Sequence, residues 1–207
     1  MEEKEIHDEL ASIRSLMERS SKFISLSGLS GILAGVYALI GAAFAYNMLY
    51  RGIGGFTFDT DYAIVLDLEI VSLLGVAVIV LLASITTGII LSVIKAKKKG
   101  QPIWGKTSRT MLFNMAVPLV SGGLLLLILI ARGYYGVVAP ASLIFYGLAL
   151  IAASNFTYSD VRYLGILEIL LGLVAACMPG FGLVFWAIGF GVLHIVYGSV
   201  MYFKYDR

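Results

Sequence analysis

The chain has 207 residues, 59% of them hydrophobic and 14% charged, with a mean hydropathy of +0.93, and that apolar surface exceeds what one soluble core of this length can hide. It therefore reads as an all-α integral membrane protein, since helices satisfy their own backbone groups in lipid. A net charge of only +2, with the basic residues beside apolar runs, argues against nucleic acid. One cysteine, Cys177, excludes an internal disulfide, and two histidines leave no multi-ligand zinc or iron site, so no cofactor or metal is expected.

Residues 1–22 are polar, yet Ile6, Leu10, Ile13, Met17 and Ile24, with Ser20 in the seam, recur at alternating spacings of four and three, the pattern of an amphipathic helix. Its charge is segregated: Glu2, Glu3, Glu5, Asp8 and Glu9 lead, and Arg14, Arg19 and Lys22 stand next to the membrane, where anionic headgroups attract them. This segment is expected to lie in the cytoplasm or on the bilayer surface as a unit separate from the transmembrane domain, residues 23–207. A cytoplasmic protein or a second copy of the chain is the alternative to lipid as its partner.

The first span, residues 23–50, carries Ser27, Gly31 and Gly35 at four-residue intervals, a stripe suited to close helix packing. A glycine-rich loop at 51–61 follows. The next apolar run, 62–94, is longer than the hydrocarbon core requires, so Asp67 and Glu69 are expected at or above the interface. Lys95, Lys97, Lys98, Lys99, Lys106 and Arg109 make the most basic loop, and Pro102 breaks any helix through it. Spans at 111–131, 137–156, 163–177 and 183–203 complete a six-helix bundle, with short links that predict antiparallel neighbours. With the N-terminus inside, thirteen of the fifteen Lys and Arg face the cytoplasm, leaving Arg51 and Arg132 outside. Both termini are thus expected in the cytoplasm.

The last two spans fold back at Met178-Pro179-Gly180. Gly165, Glu168 and Gly172 share one face at i, i+3, i+7, as do Gly191, His194 and Gly198. Antiparallel pairing about position 181 sets Glu168 opposite His194, Gly165 opposite Gly198 and Gly172 opposite Gly191, which predicts a glycine-lined hairpin closed around a Glu168 to His194 hydrogen bond. Asn114 and Asn155 fall toward the same half of the bilayer and join these two as a candidate intramembrane polar site. No catalytic constellation accompanies them. The first functional reading is a non-enzymatic membrane protein, a sensor or accessory subunit that presents its cytoplasmic helix and lysine-rich loop to a partner. A small-molecule or proton-coupled transporter using Glu168 and His194 is the alternative, and a membrane enzyme acting on a lipid-soluble substrate is third.

Through IRSLMERSSKFISLSGLSGILAG, GLALIAASNFTYSDVRYLGILEILLGL and FWAIGFGVLHIVYG, the chain resembles small bacterial six-span membrane proteins of unassigned function, chiefly from Bacteroidetes-type genomes. The resemblance implies a protein of the bacterial inner membrane and carries no activity. A carotene-cleaving oxygenase label attached to some of these proteins has no counterpart in a chain whose histidines are His7 and His194 alone.

Overall fold

A computed structural model describes residues 26–51, 66–100 and 104–207, and its described residues form helices and turns with no strand among them. The amphipathic helix expected over 1–22, the loop at 52–61 and Pro102 lie outside the described residues. Among the described residues six long helices follow one another: α1 (Gly28–Arg51), α2 (Leu66–Lys98), α3 (Lys106–Ala131), α4 (Val138–Ser154), α5 (Val161–Cys177) and α6 (Gly182–Asp206). Five of them are long and apolar enough to cross a membrane; α5, at 17 residues, is shorter than such a span. Asp67 and Glu69 fall in the first turn of α2, and their side chains are outside the described set.

Helix ends follow local chemistry. Gly133, at φ 79°, closes α3: its own N–H donates to Ile130 O at 3.0 Å and the N–H of Tyr134 donates to Leu129 O at 2.9 Å, so the last carbonyls are satisfied. Gly180, at φ 89°, makes the reversal between α5 and α6 where Met-Pro-Gly predicts it. α3 starts at Lys106 rather than 111, because the polar turn Lys106 to Thr110 continues the helix outside the apolar run. α6 is not a uniform helix. Ala187–Leu193 and Tyr202–Asp206 are π-helical, flanking an α-helical stretch from His194 to Met201.

Small residues decide which helices meet. α1 lies on α6, where a Cβ built on Gly31 would sit 3.1 Å from Gly198 Cα, one on Gly35 2.6 Å from Gly191 O, and one on Gly198 2.5 Å from Ile32 N. α4 lies on α5 in the same way: a Cβ on Gly147 would stand 2.5 Å from Gly165 O, one on Gly165 2.7 Å from Gly147 O, and one on Gly172 2.9 Å from Pro140 O. The mirrored pairing of Gly165 with Gly198 and of Gly172 with Gly191 is therefore corrected. These glycines do pack helices closely, but each set faces a helix outside the hairpin.

The outer helices attach at single seams. Gly41 on α1 admits Val80 of α2, and Gly122 on α3 admits Phe145 of α4, with built Cβ positions at 2.6 and 2.5 Å from those side chains. α2 and α3, consecutive in the chain, make no more than marginal contact with each other, so the expectation of antiparallel neighbours fails there. Each has found a neighbour with a small-residue gap instead. The most apolar stretch of α2 has no buried residue, and isoleucine, leucine and valine cover its outside, which suits a lipid-facing surface.

Candidate functional site in the helix bundle

α4, α5 and α6 bring Tyr146, Glu168 and His194 together. Glu168 is fully buried, and neither carboxyl oxygen has a hydrogen-bond partner. His194, 7% exposed, has both ring nitrogens engaged: Nδ1 lies 3.0 Å from the carbonyl oxygen of Gly189 and Nε2 lies 2.7 Å from the hydroxyl of Tyr146. A carbonyl only accepts, so Nδ1 carries a hydrogen and donates it to Gly189 O. In the neutral ring Nε2 then accepts from the Tyr146 hydroxyl. The rings of Tyr146, Phe190 and His194 pack around this contact, with centroids 5.0 to 6.0 Å apart.

The expected Glu168 to His194 hydrogen bond is not made. Oε1 stands 3.5 Å from Nδ1, beyond the 2.7–2.9 Å of a charge-assisted bond. The pair are neighbours, but the histidine N–H is directed to the backbone. Gly189 explains the arrangement. A Cβ there would lie 2.5 Å from Glu168 Oε2 and 2.5 Å from Leu143 Cδ2, so only glycine leaves room for the carboxyl against α6. Gly189 also sits in the π-helical segment, five residues before the histidine that bonds its carbonyl, and π turns inside helices are frequent at functional positions.

The two asparagines do not join this site. Asn114 donates its amide to Thr110 O at 2.8 Å within α3, and Pro118, four residues on, has no N–H to offer the Asn114 carbonyl. Asn155 is exposed at the end of α4, where its oxygen accepts from Arg162 at 3.2 Å. Conversely, Tyr146 was not singled out from the sequence. Its signal was available: a tyrosine in the middle of an apolar run has a hydroxyl that needs a partner at depth.

A second polar cluster ties the helix ends together. Lys95 at the end of α2 pairs with Asp206 at the end of α6 and also donates to Leu26 O, while Asp206 Oδ2 accepts from Ser27 Oγ at 3.1 Å and from the Gly28 N–H at 2.8 Å. The carboxylate thus caps the N-terminus of α1, where the helix dipole favours negative charge. Beside it, Asp160 accepts from Lys204 at 2.8 Å and from Tyr205 at 2.6 Å, and the Tyr158 and Tyr205 rings stack at 4.0 Å. Burial pushes the Asp160 carboxyl up, but the bonds from Lys204 and Tyr205 outweigh it and hold the group below its ordinary value. Burial, and then the charge of Asp206, push the Tyr158 hydroxyl up to about 12.

Among the described residues no three His, Cys, Asp or Glu side chains converge as metal ligands. A groove of about 300 Å³ between α1 and the start of α6 is lined by Leu39, Ala42, Ala43, Leu183 and Val184, apolar side chains that suit a hydrocarbon chain. A carboxyl, an imidazole and a phenol meet in the buried cluster of Tyr146, Glu168 and His194, groups that can hold and transfer a proton. No protein family, curated protein or solved structure matches the chain.

Proposed function

We propose that this chain is a non-enzymatic six-span protein of the bacterial inner membrane, a sensor or accessory subunit that presents its N-terminal segment and lysine-rich loop to a cytoplasmic partner. The observation that carries the reading is the Asp206 cluster. Lys95 opens the lysine-rich stretch and Leu26 to Gly28 lead into α1, so the described residues adjoining both elements meet at one carboxylate at the end of α6. A displacement of α6 would move both together. Six spans follow if α5, about 26 Å long at about 1.5 Å per residue, crosses beside α4. The distribution of basic residues supports termini on the cytoplasmic side, and the resemblance to small bacterial membrane proteins agrees with it.

The test is site-specific photo-crosslinking in cells, with the probe at position 10 or at position 98. Both probes should capture the same protein, and Asp206→Ala should weaken both captures while leaving the chain inserted. Capture of different proteins, or of lipid only, would overturn the reading. Transport remains the second reading because Glu168 is an orphaned carboxyl inside the bundle. Proton-coupled uptake in proteoliposomes that disappears with Glu168→Gln would favour it over the first.

A further inference from the structure

We infer that Glu168 is a proton-binding site whose occupancy is read by His194, through one N–H that has two competing acceptors. The geometry is specific. His194 Nδ1 lies 3.0 Å from Gly189 O and 3.5 Å from Glu168 Oε1, while Tyr146 holds the far side of the ring at 2.7 Å. The ring is clamped at Nε2, so a small tilt about that contact moves the Nδ1 hydrogen from one acceptor toward the other.

With the proton on Glu168, the carboxyl is neutral, and the histidine N–H stays on the Gly189 carbonyl as observed. Loss of the proton breaks a Glu168 O–H bond and delivers the proton to water. The carboxylate left behind has no donor of its own and becomes a stronger acceptor than the carbonyl, so it draws the Nδ1 hydrogen. The Gly189 bond breaks, His194 stays neutral, and the Tyr146 hydroxyl continues to donate to Nε2. One proton enters or leaves per cycle, and no other bond changes.

The groups facing the carboxyl are few. From α4 the titratable group is Tyr146 and from α6 it is His194; Tyr197, one turn beyond His194, packs instead against Tyr158, Val161 and Met201. The neighbours one turn away on α5 are Leu164, Gly165, Leu171 and Gly172, none of which titrates. The acceptor that loses its bond lies inside the π-helical stretch Ala187–Leu193, and the same helix ends at Asp206. A change in the winding of that stretch would be transmitted along α6 to the cluster that holds both cytoplasmic elements. The purpose of the switch rests on the sensor reading, whereas the switch itself does not.

The 207-residue chain has two histidines, so His7→Gln leaves His194 as the only imidazole signal in a nitrogen-15 histidine spectrum of this chain in lipid nanodiscs. Across the pH range in which the protein stays folded, the Nδ1 signal should shift between two positions. Infrared difference spectra should show a carboxylic acid band lost at the same midpoint. In Glu168→Gln the acid band should be absent and the Nδ1 signal should stay at the Gly189-bonded position throughout. An Nδ1 signal that does not move in the parent protein, or that moves identically in Glu168→Gln, overturns the inference. If Glu168→Gln does not fold, the parent spectra still decide, because an Nδ1 shift without a coincident acid band also overturns it. A responsive His194 with no common partner captured in cells would keep the switch and remove the sensor reading. The reverse result would remove the switch alone.

Discussion

Replacing Gly198 with alanine places a methyl carbon 2.5 Å from Ile32 N, 2.8 Å from Gly28 O and 2.9 Å from Gly31 C, all of them backbone atoms of α1. No side chain can rotate away, so α1 and α6 must separate. Restoring an ordinary contact of 3.4 Å against the nearest atom needs 3.4 minus 2.5, or 0.9 Å. Overpacking of this kind costs about 1–3 kcal/mol, while alanine recovers up to about 1 kcal/mol of helix propensity relative to glycine. Gly88→Ala on α2 is the control, since nothing lies within 4 Å of its built Cβ. It gains the same propensity without the clash. The difference between the two variants should therefore be about 1–3 kcal/mol, with Gly198→Ala the less stable. Reversible unfolding in mixed micelles, followed by circular dichroism, measures it. Equal stabilities for the two variants would show that α1 and α6 do not meet at Gly198.

Lys95→Ala and Asp206→Ala should each cost about 1.5–3 kcal/mol in the same assay, and the double variant less than their sum; additive losses would mean that the pair contributes no coupling. Asp160 gives a pH dependence of known sign. Its folded value is depressed, so its stabilisation is present above the ordinary carboxylate value of about 3.9 and is lost as pH falls through the lower folded value. The acid arm of the stability profile should flatten in Asp160→Asn, and an unchanged arm would refute the role of its bonds to Lys204 and Tyr205. For topology, single cysteines at Lys98 and Thr57 in a background without Cys177 should react with an impermeant reagent in intact cells only at position 57. Labelling at 98 would reverse the orientation.

The helices and the burial of Glu168 and His194 were legible in the sequence because both depend on local quantities, hydropathy and periodicity. The partners of the glycine faces were not. Spacing shows that Gly191 and Gly198 share a stripe with His194, but the stripe fits any helix with a matching gap, and Gly31 and Gly35 offer one as readily as Gly165 and Gly172 do. Gly147 settled the competition for α5, and a lone glycine in an apolar run gives little sign of that. The Asp206 cluster escaped for a related reason. Its members, Lys95, Leu26 to Gly28 and Asp206, are separated by the length of the chain, and each alone looks like a solvated helix end. Tyr146 carried a readable signal, an unpartnered hydroxyl at depth, but only the packing of α4 on α5 and α6 directs it to His194.

The unequal lengths of α2 and α5 have a consequence for the surrounding lipid. The apolar part of α2 from Val71 to Ile94 has 24 residues, about 36 Å of helix, whereas the 17 residues of α5 give about 26 Å, against a hydrocarbon thickness of about 30 Å. Both helices expose leucine, isoleucine and valine along their length, surfaces that suit acyl chains. The α2 edge asks the bilayer to thicken or the helix to tilt and, with α5 crossing as proposed, its edge asks the bilayer to thin. Longer acyl chains would relieve the mismatch at α2 and worsen it at α5. If α5 crosses the bilayer beside α4 as proposed, no uniform thickness suits both helices, and the annulus would be thicker on the α2 side than on the α5 side.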